Sequence, residues 1–368
     1  MKLKTIEFIK NNKNWKDLLI DSPYFLIIKE EDNYILLKYN QIASDFSNEI
    51  VRECRGLILD KTTLEPVCVP FFKFGNYGES YIPEIDWSSA ETQEKVDGSI
   101  IKLWHHNGEW RVSTNGTINA FTCDIGQTDL LRMQCPFNSF GELFDNARKK
   151  CGLHYSKLNK HYTYMFELVS IYNKVVIDYG ETSIFHIGTR NNKTLEEINV
   201  DIGIKKPKKY KLNTLEDCIK SAQELPYSEE GYVIVDKHWN RIKIKSPQYV
   251  AVHHIKNNGE VSISSIIQLI RTNEICEFLN YFPEYKTNVD LIKKEINNII
   301  IYLEKELKQL KNKTFETQKD FAIEVKDKKH SAFFFGWRKD NNLTPEQFLW
   351  KFENNKIKEM IKWKPNQN

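Results

Sequence analysis

Glu94-Lys95-Val96-Asp97-Gly98-Ser99-Ile100-Ile101-Lys102-Leu103 sets a lysine at the mouth of a tight turn, directly ahead of an apolar strand. Aspartate and glycine are turn residues, and the β-branched pair that follows suits a pleated, half-buried surface. A lysine with its ordinary pKa of about 10.4 is a poor nucleophile at neutral pH unless burial or neighbouring cations disfavour its charge. The stretch therefore raises two questions. One is whether the surrounding chain is a sheet, and the other is whether it brings acids and cations to Lys95.

From Tyr24 to Tyr249, short β-branched and aromatic runs alternate with turn signals, the pattern of a mostly antiparallel α+β domain. Three hairpins are readable. Phe25 to Glu30 and Tyr34 to Tyr39 flank Glu31-Asp32-Asn33, Ile100 to His105 and Trp110 to Thr114 flank Asn107-Gly108, and Gly231 to Val235 and Arg241 to Lys245 flank Lys237-His238-Trp239-Asn240. Thr5 to Ile20 reads as one opening helix. Beyond Tyr249 the period changes to three and four: Ile292, Ile296, Ile299, Leu303, Leu307 and Leu310 predict an amphipathic helix, with Asp290 placed to cap it. Thr344-Pro345-Glu346-Gln347 predicts a last helix running through Phe348, Leu349, Phe352, Ile357 and Ile361, and Ser264 to Leu279 a further helical stretch. The expected organisation is a domain over residues 1–250 and an all-helical C-terminal domain over 251–368.

Composition excludes several classes. With 40% hydrophobic and 28% charged residues, the 368-residue chain has neither the bias of a disordered chain nor that of a collagen-like or coiled-coil rod. No apolar run approaches the roughly 18 residues of a membrane span, and Met1 to Lys16 is broken by lysines and asparagines, so a cytoplasmic protein is expected. Seven cysteines, an odd number without C-x-x-C spacing, disfavour a disulfide framework and a zinc site. A net charge of +3 leaves any anion-binding surface to local segregation. The one compositional oddity, Lys205-Lys206-Pro207-Lys208-Lys209-Tyr210-Lys211, reads either as a solvated loop or as a nucleic-acid contact.

Other residues could serve Lys95. Strand alternation puts Lys243 and Lys245 on one face and Ile242 and Ile244 on the other, giving either a phosphate clamp or an ordinary exposed face. Glu229-Glu230-Gly231 offers a carboxylate of the kind a magnesium-nucleotide site takes, beside a glycine that permits close backbone approach. Glu167, inside the apolar run Tyr164 to Val169, must face water, a partner or a ligand. Arg55 and Lys73 could line a nucleotide pocket, or be a surface ion pair and a snorkelling stem. Cys54 lacks an evident histidine and acid partner and reads as a buried structural thiol.

Taken in order, Glu53-Cys54-Arg55-Gly56, Lys95-Val96-Asp97-Gly98-Ser99, Phe166-Glu167-Leu168-Val169 with Asn173-Lys174-Val175-Val176, Glu230-Gly231-Tyr232-Val233 and Lys243-Ile244-Lys245-Ser246 with Tyr249-Val250 resemble the covalent nucleotidyltransferase superfamily. Within it the chain is most similar to the T4-type RNA ligase 1 family. The helical tail, with Lys319-Asp320-Phe321-Ala322 and Phe333-Phe334-Phe335-Gly336, resembles that family's C-terminal domain, where DNA ligases and capping enzymes would carry an OB-fold barrel.

The resemblance implies a nucleotidyltransferase (ATP-grasp-like ligase) domain of antiparallel sheets with helices, followed by the helical domain. It implies ATP and Mg²⁺ or Mn²⁺ as cofactors. Lys95 would attack the α-phosphate and carry AMP. Lys243 and Lys245 would hold that phosphate, Glu230 the metal, Glu167 and Arg55 the sugar, and Lys73 the outer phosphates. Val233 would pack on adenine, Glu94 would join the nucleotide-binding set, and Asp97 and Gly98 would shape the turn. Two positions depart from the family pattern. Gly75 stands where an aromatic is usual, with Phe74 as a substitute, and Asn115 stands where a basic residue is usual. The implied reaction joins RNA 5′-phosphate and 3′-hydroxyl ends, nicked tRNA leading, by a monomeric enzyme working in the host cytoplasm if phage-encoded. No G-x-x-x-x-G-K-[ST] sequence is present, so end healing by a kinase and phosphatase falls to another protein. The competing readings are a capping-type guanylyltransferase, a DNA ligase, or an RNA-binding relative without the chemistry.

Overall fold

The computed structural model describes residues 2–125, 135–254 and 261–361. The chain divides into two compact units, Met1–His253 and His254–Asn368.

The first unit is built on three four-stranded sheets. Strands β1 (Leu26–Glu31), β2 (Tyr34–Tyr39), β3 (Arg55–Asp60) and β4 (Pro66–Cys68) form the first, in that order. β5 (Glu91–Glu94), β6 (Ser99–His106), β7 (Glu109–Ser113), β8 (Tyr162–Val169), β9 (Ser183–Asn191), β10 (Lys209–Tyr210), β11 (Gly231–Val235) and β12 (Arg241–Lys245) form the others, ordered β10-β5-β11-β12 and β7-β6-β8-β9. The strand pairings within these sheets are antiparallel. The three hairpins lie where turn chemistry puts them: Asp32, and Asn107 with Gly108, take the positive φ that two-residue turns require. Each sheet buries one alternating face against a helix. Leu37, Leu57 and Leu59 pack with Ile6 and Ile9 of helix Lys4–Asn11. Ile101, Leu103 and Phe166 pack with Leu143, Phe144 and Ala147 of helix Phe140–Lys150. Tyr232, Ile234, Ile242 and Ile244 pack with Cys218 and Ala222 of helix Leu215–Glu224.

The opening helix departs from expectation. It is two helices, Lys4–Asn11 and Trp15–Ile20, because Asn12 leaves the helical region and its side-chain amide donates to the carbonyl of Phe8 at 2.8 Å, ending the first.

The second unit, taken by itself, is helical over its described residues. The six periodic apolar residues are all buried on one face of helix Lys286–Lys311. Asp290 does not cap it; the helix starts a turn earlier, and Asp290 pairs with Lys286 at 2.6 Å across one turn. The stretch from Ser264 is two helices, Ile263–Arg271 and Ile275–Tyr281, parted at Asn273, whose φ is +55°. The last helix forms with its capping box, Thr344 against Gln347 and Pro345 in the first turn, but ends at Leu349. Glu353, in extended conformation, starts a separate helix, Asn354–Met360, that buries Ile357.

Glu53 fastens the first helix to the strand that carries Arg55. Its buried carboxylate accepts from the Lys4 and Thr5 amides at 2.9 and 2.8 Å and from the Thr5 hydroxyl at 2.7 Å, satisfying donors that a helix N-terminus leaves open. Glu53→Ala should lower unfolding stability by about 2–3 kcal/mol in urea titrations; a change below about 0.5 kcal/mol would deny it this role.

Candidate active site

Lys95 follows the last residue of β5, and its amide donates to the carbonyl of Gly231 at 2.9 Å, which extends the β5–β11 pairing to the nucleophile's own backbone. Gly231 is indispensable to that approach. Its φ is +135°, and a Cβ there would lie 2.2 Å from the carbonyl oxygen of Ile244. Gly231 pairs with Lys245 and Val233 with Lys243, so register delivers Glu230 and both lysines to one end of the sheet.

There Lys95 Nζ donates to Glu230 Oε1 at 2.6 Å, and Lys245 Nζ lies 3.9 Å from the same oxygen. Glu230 is 5% exposed, so one nearly dry carboxylate is shared by two ammonium groups. The turn beside it is held by Asp97. Its carboxylate accepts from the amides of Val176 and Ile177 at 2.9 and 2.8 Å and from the Tyr249 hydroxyl at 2.9 Å, and its own amide donates to the Tyr179 hydroxyl at 2.8 Å. Asp97 is thereby fully engaged in positioning.

A cavity of about 260 Å³ opens onto this turn, lined by Arg55, Phe74, Glu94, Lys95, Glu167, Val233 and Lys243 among others. Every sheet contributes: Arg55 from β3, Glu167 from β8, Val233 and Lys243 from β11 and β12. Phe74 lies between two cations, 5.1 Å from the Arg55 guanidinium and 5.4 Å from the Lys243 ammonium. Glu94 Oε2 accepts from the Lys208 amide at 3.2 Å. Lys73 does not line this cavity; its ammonium sits 5.0 Å from the ring of Phe46 and 5.9 Å from that of Tyr39.

Arg55 Nη1 is buried and has no hydrogen-bond partner among the described residues. A charged donor left unpaired in a buried place is costly, and a ligand oxygen would satisfy it. The donor set suits a nucleotide. Lys95, Lys243, Lys245 and Arg55 outweigh Glu230 and Glu94 in number, and the Glu167 carboxyl is raised to about 7 by desolvation. No group of three acidic, histidine or cysteine side chains placed to hold a metal ion by itself occurs among the described residues. Glu230 alone fits a hard cation that keeps most of its waters and takes its other oxygens from phosphates.

Three features escaped the sequence reading. Gly56 is a bulge: Leu37 pairs with Leu57 and Lys38 with Arg55, leaving Gly56 unpaired with φ +84°. Its carbonyl accepts from Lys102 Nζ at 2.5 Å, and Lys102 is wholly buried, which lowers its amine to about 8. A Cβ at residue 56 would lie 2.6 Å from that ammonium and 2.8 Å from the carbonyl oxygen of Asn115, so the cation at this place comes from β6 and not from position 115. Lastly, Arg190 and Arg241 share the buried Glu197 at 2.5 and 2.6 Å, and Arg241 also lines the cavity. A lysine inside an apolar strand was a usable signal for Lys102; no local pattern marks the other two.

Glu167 is half-buried on β8 in the cavity wall, and desolvation there pushes its carboxyl up to about 7, with Glu230 and Asp97 adding to the rise and Lys95 and Arg55 opposing it. A proton kept in the folded state and given up by the unfolded chain makes stability fall as pH rises from about 4.5 to about 7. Glu167→Gln removes this loss. Its stability relative to the parent should increase between pH 5 and pH 8, by on the order of 1–3 kcal/mol in urea titrations, whereas equal differences at both pH values would refute the assignment.

Comparison with known proteins places the site within a family of known description. The family model described as RNA ligase matches residues 53–249, the span that holds every cavity-lining residue named above. The chain is 30% identical over 273 residues to a protein of Autographa californica nuclear polyhedrosis virus named as a bifunctional polynucleotide kinase/RNA ligase; the match takes in 70% of this chain but 38% of that one. It is 24% identical over 384 residues to an RNA ligase of Rhodothermus phage RM378, covering 84% of this chain and 86% of the relative. Among solved structures, an archaeal ATP-dependent RNA ligase aligns over 79% of this chain and 82% of its own, with 13% identity and a TM-score of 0.44. A Naegleria gruberi RNA ligase variant with ATP and Mn aligns over 51% and 63%, with 12% identity and a TM-score of 0.34.

Proposed function

The chain belongs to the RNA ligase family, and on that footing we propose that it seals RNA through a covalent lysyl-AMP formed on Lys95 with ATP. The observation that carries this is the Lys95–Glu230–Lys245 charge cluster beside a cavity whose wall includes Arg55, one of whose guanidinium nitrogens is buried without a hydrogen-bond partner among the described residues.

Lys95 Nζ attacks the α-phosphorus of ATP, forming a phosphoramide and expelling pyrophosphate. The ammonium must lose a proton before it can attack, and Glu230 Oε1, 2.6 Å away, is the carboxylate placed to accept it; Glu230 is also the residue that would hold a divalent cation. Mg²⁺ or Mn²⁺, when bound, neutralises phosphate charge and favours pyrophosphate as leaving group. Lys243 and Lys245 stabilise charge on the non-bridging oxygens, Arg55 and Glu167 hydrogen-bond the ribose, and Val233 and Phe74 wall the base. AMP then passes to an RNA 5′-phosphate, and the 3′-hydroxyl of the second end displaces it. Lys73, held over Phe46 and Tyr39, reaches the outer phosphates only by leaving those rings.

In this reading residues 1–250 form the adenylyltransferase and residues 251–368 choose the RNA, with tRNA cleaved in its anticodon loop as leading substrate. The enzyme works as a monomer in the cytoplasm, and a separate kinase and phosphatase prepare the ends. No helix among the described residues is long and apolar enough to cross a membrane.

Incubation with ATP labelled at the α-phosphate, followed by denaturing electrophoresis, should label the parent and leave Lys95→Ala unlabelled. The variant should still seal RNA carrying a pre-adenylylated 5′ end, at a reduced rate, because the amine acts only in the first step. A parent that takes no label with either metal, and carries no AMP as purified, would overturn the reading. Labelling by GTP in place of ATP would favour a capping enzyme.

A further inference from the structure

The basic run from Lys205 to Lys211 has no part in the chemistry above, yet the fold places it at the rim of the nucleotide cavity. Its backbone is fastened on two sides. The carbonyl of Lys205 accepts from the amide of His186 on β9 at 2.8 Å, and the carbonyl of Lys208 accepts from the amide of Glu94 at 2.7 Å. Lys209 and Tyr210 form β10, paired with Gln93 and Thr92. Pro207 lines the cavity itself. The run is thus a strap hydrogen-bonded to the residue immediately before Lys95, not a loop free to spread its charges into solvent.

All five lysines of the strap are exposed. Among the described residues only Lys209 has an ion pair, with Glu91 at 2.6 Å. Lys205 rests over the ring of Phe185 at 4.5 Å, Lys208 over that of Tyr210 at 4.8 Å, and Lys206 donates to the side chain of Asn199 at 2.8 Å. A fixed backbone therefore presents a row of like charges, weakly held by rings and an amide, beside the site where an RNA end must arrive. Such crowding is unfavourable unless a linear polyanion relieves it.

We propose that residues 205–211 are the phosphodiester track that guides the RNA strand into the cavity after Lys95 has been adenylylated. The proposal rests on the ligase reading. Single-stranded RNA is the occupant because its regularly spaced phosphates match a short row of exposed ammonium groups, two of which rest over the half-buried Tyr210 ring and the buried Phe185 ring.

The test is a triple variant, Lys205→Gln with Lys206→Gln and Lys208→Gln, compared with the parent and with a control in which Lys13, Lys150 and Lys157 become Gln. Lysyl-AMP formation and its KM for ATP should stay within about twofold of the parent, which also shows that the variant folds. Binding of a fluorescent single-stranded 5′-phosphate RNA should weaken, and the slope of log affinity against log salt should become shallower by about 2, since each lost phosphate contact removes about 0.7. The KM for RNA in sealing should rise at least tenfold. The control should shift neither slope nor KM. An unchanged slope and RNA KM in the triple variant, or a control that loses as much, would overturn the track. A raised KM for ATP with RNA binding intact would instead put the strap on the triphosphate, and would equally overturn it. Should the parent itself form no lysyl-AMP, the failure would lie in the ligase reading.

Discussion

One carboxylate between two ammonium groups governs the architecture of the site. Glu230 is almost fully buried, and leaving it without Lys95 and Lys245 would strand a charge in a poor solvent for it. The three groups sit at the ends of different strands, Lys95 just after β5, Glu230 just before β11 and Lys245 closing β12, so the arrangement exists only when these strands pair in the observed register. A slip of one residue would turn Lys243 and Lys245 into the core and Ile242 and Ile244 toward the cavity. Hydrophobic packing and site chemistry thus specify the same pairing, which is why a short hairpin suffices to fix both.

Around that centre, polar groups that the fold buries are tied by partners far away in the chain. Asp97 reaches Val176, Ile177 and Tyr249; Glu53 reaches Lys4 and Thr5; Glu197 bridges Arg190 and Arg241. Satisfied networks of this kind stiffen their surroundings, because breaking one member exposes the others to desolvation without a partner. The reacting turn is therefore embedded in a frame that loses much by relaxing, with Lys243 and Lys73 each set beside aromatic rings.

The legible parts were those encoded locally. Alternation and turn residues marked the three hairpins, and the three-four spacing marked the Lys286–Lys311 helix, because these signals repeat within a few residues. Helix ends were less legible: Asn12, Asn273 and Glu353 each break a run whose apolar spacing continues past them, and Asp290 looked like a cap only because the helix extends a turn beyond the apolar stripe. Of the expected site residues, Arg55, Glu94, Lys95, Glu167, Val233 and Lys243 come to one cavity, Glu230 and Lys245 adjoin it through Lys95, and Lys73 stands apart. The Glu197 bridge could not have been read, since Glu197 and Arg241 lie 44 residues apart and no sequence pattern links them.

The bulge at Gly56 carries a consequence for descent. Its carbonyl is freed by the bulge and answered by Lys102, while the space a side chain would need at residue 56 is taken by that same amine. Neither position can drift alone: a side chain at 56 would evict the ammonium, and an apolar residue at 102 would orphan the carbonyl next to Arg55. Yet the coupling is one-sided: without the lysine the freed carbonyl goes unanswered, whereas glycine stays required at residue 56 by its φ of +84° and by the carbonyl oxygen of Asn115 at 2.8 Å.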